Sequence, residues 1–366
     1  MMIKRNAISI LILLLVCSFL DTEVRAQKPE NMKYTDAKEL TLLGKGFENT
    51  DSYYTRLPVD QKDEFRPELW SLGKNSAGLA VRFSSNSTAI AVKWTVMNDF
   101  TMNHMPSTGI KGVDLYTLEN DGKWYYMGTG RPTAKDNASV LISSMDATQR
   151  EYILYLPLYD GTVSVSIGVD STANLTKPQK DVLVKQDNGE AILVYGTSIT
   201  QGGCASRPGM VYTSILERML QREVINLGFS GNAKMDKSIA KAICKVNANT
   251  VVLDCLPNTT AQMLRDSAYT FIKMILDAKP DVKIYMVENP RFPYLRYNQE
   301  RIKELSEEDM VWRSVYERFR KEKCRNIYYI NGKELAGTDN EATVDGVHMT
   351  DLGFLRYAIE LCKYIK

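Results

Sequence analysis

The feature that most constrains this chain is a change of hydrophobic period near Glu190. Upstream, from about Tyr34 to Val184, apolar residues come in short runs rich in β-branched and aromatic side chains, divided by turn residues. Residues 79–83 and 89–94 are two such runs, on either side of Ser84-Ser85-Asn86-Ser87. Residues 113–116 and 124–127 are joined through Asp121-Gly122, a dipeptide that hairpin turns favour because it tolerates positive φ. Residues 152–156 and 163–167 read as a further pair around Asp160-Gly161. Many short strands with regularly spaced turns predict a β-sandwich.

Downstream, apolar runs of strand length at 191–195, 224–227, 250–253, 282–287 and 327–330 alternate with helical stretches at 210–220, 236–244, 261–278, 304–323 and 351–365. Repeated strand–helix units build a parallel sheet with helices on both faces. The predicted fold class is therefore α/β: a three-layer α/β/α domain with a parallel sheet, preceded by a β-sandwich of jelly-roll-like kind.

A length of 366 residues suits two domains. Lys177-Pro178-Gln179-Lys180-Asp181 reads as a linker, which divides the chain into a leader (1–26), a sandwich domain (27–185) and an α/β domain (186–366). The leader sets Lys4 and Arg5 before a nearly unbroken apolar run over 7–20, with Val24 and Ala26 before the break. That is the pattern of a secretory signal peptide cut after Ala26. The run is shorter than the ~20 apolar residues a spanning helix needs. No second long apolar run follows, so the mature chain is expected to be exported, periplasmic or secreted, without a transmembrane segment. Lipid anchoring at Cys17 is disfavoured, because apolar residues continue past it and no small residue precedes it.

The mature net charge is about +1, with no basic stripe of the kind that binds nucleic acid. The mature cysteines, Cys204, Cys244, Cys255, Cys324 and Cys362, are odd in number and form no CxxC pair, so no disulfide framework is expected. Cys255 and Cys362 read as small core residues. Pairing of two of the five stays open, as does the oligomeric state.

Gly196-Thr197-Ser198 follows the strand at 191–195 directly, with a helix expected from about Pro208. Ser198 therefore sits beyond the carboxyl end of a parallel strand, the edge at which open α/β sheets bind ligands. One reading makes it a nucleophile; the other makes it a serine in a tight turn, capping a helix. The mature chain has two histidines, His104 and His348. A serine nucleophile needs a base that titrates near neutrality, which histidine supplies. His348 lies between the last expected strand and the last helix, and Asp345 three residues earlier is placed to orient its ring. The alternative is an ordinary loop histidine, with Asp351 complementing the helix dipole. Gly231 and Asn258 follow two more strand ends, where an oxyanion would need backbone N–H and amide donors. Each also reads as a plain turn residue.

The ordered blocks Gly196-Thr197-Ser198, Asn226 to Gly231, Asn258 and Asp345-x-x-His348 resemble those of the SGNH (GDSL-like) hydrolases, from about Glu190 to the C-terminus. Residues 196–210 look like one bacterial branch of that family. Gly112-Val113-Asp114-Leu115-Tyr116 looks like the GxDLY module that precedes the hydrolase in that branch. The resemblance implies a serine esterase with Ser198 as nucleophile, Asp345 and His348 as its partners, and an oxyanion hole of Ser198, Gly231 and Asn258. It needs no cofactor. This chain departs from the pattern in reading Gly-Thr-Ser-Ile for Gly-Asp-Ser-Leu, and Leu-Pro-Asn-Thr for Gly-x-Asn-Asp.

No metal is expected, since two histidines so distant in sequence do not form a usual zinc cluster. Two residues stay open. Arg207 reads as a contact for an anionic or hydroxyl-rich substrate, or as a solvated loop cation. His104, in His104-Met105-Pro106-Ser107-Thr108-Gly109, reads as a surface residue or as one that reaches a cleft between the domains. The first functional expectation is removal of acetyl or another short acyl group from a glycan or small-molecule ester. A lipase, lysophospholipase or thioesterase is the second, disfavoured because no long apolar lid is visible. A noncatalytic carbohydrate-binding protein on the same scaffold is the third.

Overall fold

A computed structural model describes residues 28–183 and 191–365. The expected leader and the expected boundary between domains at 185–186 lie outside the described residues. Among the described residues no helix is long and apolar enough to cross a membrane.

Among the described residues the first half carries ten strands: β1 Lys33–Asp36, β2 Thr41–Leu43, β3 Ala80–Ser85, β4 Ile90–Val96, β5 Val113–Leu118, β6 Trp124–Gly130, β7 Asp136–Ile142, β8 Arg150–Tyr155, β9 Thr162–Val169 and β10 Leu175–Thr176. They form two antiparallel sheets, ordered β1-β9-β4-β7 and β10-β3-β8-β5-β6, with β2 paired to β3. Between them lies a core that includes Phe83, Trp94, Leu115, Tyr152 and Ile167. The β5–β6 hairpin forms around Asp121-Gly122. The pair expected around Asp160-Gly161 does not, because β8 and β9 belong to different sheets. The reason is Asp160. It is fully buried, and its carboxylate accepts from the N–H groups of Asn98 (3.0 Å), Asp99 (2.8 Å) and Gly161 (2.8 Å). It thus anchors a crossing between sheets rather than a two-residue turn.

The second half is a five-stranded parallel sheet, ordered β12-β11-β13-β14-β15, from β11 Ile192–Gly196, β12 Val224–Gly228, β13 Thr250–Asp254, β14 Lys283–Val287 and β15 Ile327–Ile330. Helices Lys237–Lys245, Ala261–Ala278 and Gln299–Lys321 bury one face through Leu193, Tyr195 and Leu253. Helices Tyr212–Leu220 and Asp351–Cys362 bury the other through Ile192, Val194 and Val252. Both faces being covered explains why these strands read as unbroken apolar runs. The strand order reverses at β11, and such a switch point opens a crevice at the carboxyl rim. Gly196, Gly228 and Asp254 lie level there. A Cβ on Gly196 would sit 1.9 Å from Thr200 Oγ1, so only glycine lets the next turn fold back on the strand end.

All five cysteines in the described residues are free; Cys255 is fully buried.

Candidate active site

Ser198 opens a one-turn helix, Ser198–Gln201, capped by Thr197, whose hydroxyl accepts from the Ile199 N–H. The helical start expected near Pro208 is a second feature, a 3-10 turn at Pro208–Met210. The Ser198 carbonyl accepts from the N–H groups of Gly202 (2.9 Å) and Gly203 (2.7 Å) and from the Tyr159 hydroxyl (3.2 Å). Its backbone is therefore held from three sides. Beneath it lies Asp254, fully buried at the end of β13. Asp254 accepts from the hydroxyls of Tyr212 (2.6 Å), Tyr357 (2.6 Å) and Thr200 (3.1 Å). Burial pushes its carboxyl up to about 6 against the pull of those three donors.

Asp345 and His348 lie on a turn after β15. The Asp345 carboxylate accepts from the N–H groups of Val347 (3.0 Å) and His348 (2.8 Å), and Gly346 takes φ +91°. The Val344 N–H donates to the His348 carbonyl at 2.8 Å and closes the turn. The same carboxylate that shapes the turn meets the ring it orients: His348 Nδ1 lies 2.7 Å from Asp345 Oδ2. His348 Nε2 lies 2.9 Å from Ser198 Oγ. This geometry fits Nδ1–H donating to Asp345 while Nε2 accepts the serine proton. Partial burial works against Asp345 ionising, but hydrogen bonds from the His348 ring and from the His348 and Val347 N–H groups hold its carboxyl down to about 2.

Gly231 is exposed, at φ +66°, in the turn closed by the Asn232 N–H on the Phe229 carbonyl. Among the described residues nothing accepts from its N–H. The Asn258 side-chain carbonyl accepts from the Ala233 N–H at 3.3 Å, which ties the loop after β13 to the loop after β12. Its amide NH2 has no partner among the described residues. The rim therefore holds unclaimed donors beside a hydroxyl–imidazole–carboxylate row.

Arg207 sits elsewhere than the substrate-contact reading required. Its guanidinium donates to Asp114 (2.5 Å) and to the Tyr116 hydroxyl, and stacks 4.0 Å from the centre of the Tyr126 ring. Asp114 is fully buried and also accepts from the Gly209 N–H. Arg207 is thus tied to the sandwich through the Asp of Gly112-Val113-Asp114-Leu115-Tyr116. His104 does come to the cleft, its ring centre 5.6 Å from that of His348. The argument that two distant histidines do not cluster therefore fails: the fold brings them together.

Other residues here carry no local sequence signal. Arg56 is fully buried and faces no carboxylate; it donates to the carbonyls of Asn75, Leu72, Asn226 and Gly228 at 2.7–3.0 Å. Burial pulls it down to about 9. Arg66 grips Asp236 (2.7 and 3.0 Å) and Asn232 (2.8 Å). Both arginines come from the first half and brace the Gly231 loop.

A serine hydroxyl, imidazole and carboxylate in a hydrogen-bonded row, at the carboxyl rim of a parallel sheet, define a serine hydrolase of α/β/α architecture. The chain belongs to the GDSL-like lipase/acylhydrolase family, whose model matches residues 189–366, and the model for the N-terminus of SGNH-hydrolase-type esterases (GxDLY) matches residues 32–175. It is a serine esterase. A crystal structure from Bacteroides ovatus ATCC 8483, provisionally described as a GDSL-like lipase, is 36% identical over 91% of this chain and 96% of its own, with a TM-score of 0.84. The salicylyl-acyltransferase SsfX3 of a tetracycline biosynthetic pathway shares the fold at 14% identity, TM-score 0.74, over 92% of this chain and 97% of its own. A family two carbohydrate esterase from Clostridium thermocellum, solved with cellohexaose, shares it at 13% identity, TM-score 0.58, over 79% and 92%. Curated proteins give no match.

Proposed function

We propose that the protein is an exported esterase that removes acetyl or other short acyl groups from a carbohydrate, with Ser198 as nucleophile, His348 as base and Asp345 as its orienting partner. The observation that carries this reading is the continuous row from Asp345 through His348 to Ser198 at 2.7 and 2.9 Å. Ser198 Oγ attacks the ester carbonyl as His348 Nε2 takes its proton. The Ser198 and Gly231 N–H groups and the Asn258 amide receive the oxyanion. The departing alcohol takes the proton from His348. Water then repeats the cycle and frees the acid. Asp345 stays ionised throughout, as its lowered carboxyl requires.

A carbohydrate alcohol is favoured by an open cleft of about 850 Å³ beside Ser230. Asn75, Asn98, Phe100 and Tyr159 line it from the first half, and Asn232 from the second. Glu68, Lys74, Met97 and Met102 also line it, and this mix of charged, amide and apolar groups can meet the hydroxyls and faces of a sugar. The sandwich domain, proposed to span 27–185, then shapes the alcohol side. The fold shared with a carbohydrate esterase agrees, as does the leader expected over 1–26, since an exported enzyme meets the glycans outside the cytoplasm.

The test is a panel of acetylated oligosaccharides and p-nitrophenyl esters of increasing chain length. Acetyl esters should turn over fastest, and Ser198→Ala should lose at least about 10⁴-fold in kcat with its melting curve unchanged. Preference for long chains would remove the substrate assignment. Turnover retained in Ser198→Ala would remove the nucleophile.

A further inference from the structure

We propose that the same rim is a binding site for zinc or a similar thiophilic divalent cation, held by His104, Cys204, Asp345 and His348, and that occupancy switches the esterase off. The binding itself rests only on where these four residues lie. The switching rests on the reading of His348 as the base.

One donor atom from each of the four residues falls within 4.8 Å of the other three. Two imidazoles, a thiol and a carboxylate are the donor types that zinc takes in tetrahedral sites. Zinc–ligand bonds of 2.0–2.3 Å place neighbouring donors about 3.3–3.8 Å apart. The set must therefore contract by about 1 Å, and the exposed His104 side chain can turn inward to supply it. With thiolate and carboxylate both ionised, a dication leaves the site neutral. The thiol proton passes to solvent on binding. Sulfur and imidazole donors favour zinc over magnesium or calcium.

Three separate segments converge here, and the fold ties each of them down. Met105 is buried in the core beneath His104. The Thr108 hydroxyl donates to the Ser206 carbonyl at 2.6 Å. A Cβ on Gly109 would lie 2.1 Å from the Ala205 carbonyl oxygen, so the two loops touch backbone to backbone. The Ser206 N–H donates to Asp351 at 2.9 Å, which binds this loop to the start of the last helix. Gly203 passes behind the ring of His348, where a Cβ would approach Cδ2 to 3.0 Å.

Cys204 is the unexpected member. It takes φ +71°, a left-handed backbone that side chains other than Asn and Asp disfavour. It is buried, and its thiol has neither a disulfide nor a hydrogen-bond partner among the described residues. The ester mechanism does not use it. A ligand role explains a sulfur held facing the Asp345–His348 pair. An ion on either ring nitrogen of His348 disables the base: on Nε2 it takes the lone pair that would accept the Ser198 proton, and on Nδ1 it displaces the Asp345 hydrogen bond and leaves the proton on Nε2. Hydrolysis then stops until the ion leaves.

The experiment is cobalt(II) titration of the Ser198→Ala protein, which reports binding without any need for catalysis. One equivalent should produce a thiolate-to-cobalt charge-transfer band. The band should vanish when Cys204→Ser is added and weaken with His104→Ala. In the otherwise wild-type enzyme, zinc should inhibit reversibly, with activity restored by a chelator. Cys204→Ser should keep its esterase activity and need at least about tenfold more zinc for half-inhibition. Absence of the band in Ser198→Ala overturns the site, as does equal zinc sensitivity of wild type and Cys204→Ser. Should Cys204→Ser fail to fold, the His104→Ala titration decides: an unchanged band overturns the site. If the esterase assay shows no turnover at all, the proposed substrate falls and the cobalt arm still stands.

Discussion

Asp254 ends one strand of the parallel sheet and Asp345 lies on a turn beyond another, and both stand at the rim that carries Ser198, yet their surroundings are opposite. Asp254 is sealed under Tyr212, Tyr357 and Thr200, and burial raises its carboxyl to about 6. Asp345 lies on an exposed turn, and the N–H groups of Val347 and His348, together with the His348 ring, lower its carboxyl to about 2. The first gives up solvation to fix a floor. The second keeps its charge available to an imidazolium. On the proposed mechanism, a carboxylate under the site sets position, and a carboxylate beside it sets protonation.

The largest effect should come from the exposed partner. Asp345→Asn should lower kcat by about 10³–10⁴-fold, because the amide no longer favours the tautomer that leaves Nε2 free. Its melting temperature should fall modestly at pH 7, and the gap to wild type should close as pH falls towards 2. The folded carboxyl lies below its ordinary value near 3.8, so its stabilising contribution is present above pH 4 and fades as pH falls towards 2. Thermal melts over that acid range should be flatter for the variant. A large loss of stability at pH 7 would erase the contrast drawn between the two carboxylates.

Arg207→Ala extends the contrast to the interface between the halves. It leaves Asp114 buried without its cation, which should cost about 3–5 kcal/mol in stability, with KM for an acetylated substrate unchanged. A raised KM at unchanged stability would return Arg207 to the substrate.

The smallest effect belongs to Asp254→Asn. Between pH 4 and 6 the folded state binds more protons at Asp254 than the unfolded chain does, so this group's contribution falls as pH rises through that window. The fall should be on the order of 2–3 kcal/mol, read as a difference in slope between wild type and variant. Identical slopes would mean that Asp254 is not titrating there.

The parts legible in the sequence are those that rest on local patterns. The five parallel strands show as apolar runs because both faces are covered. The Ser198 turn and the Asp345–His348 turn show because glycine and a short-range carboxylate mark them. Partners recruited by packing alone leave no such mark. Arg56, Tyr212, Tyr357 and Cys204 lie far from their contacts in the chain, and nothing in their own neighbourhoods announces what they meet. The β8–β9 crossing was misread for a related reason: Asp160-Gly161 has the composition of a hairpin, and only the burial of Asp160 shows that it spans two sheets. Arg207 looked available because its buried counterion lies 93 residues away.

Arg56 has a consequence for how such molecules descend. Its guanidinium fills a socket of main-chain oxygens, half on each side of the divide, and Arg66 adds a second clasp nearby. A recombination event that transplanted either half alone would leave a charged plug with nothing to fit, or an empty socket under the Gly231 loop. The two halves are thus fitted to each other at this seam, and an engineer seeking a smaller catalyst who discards the first must replace the support it gives the Gly231 loop.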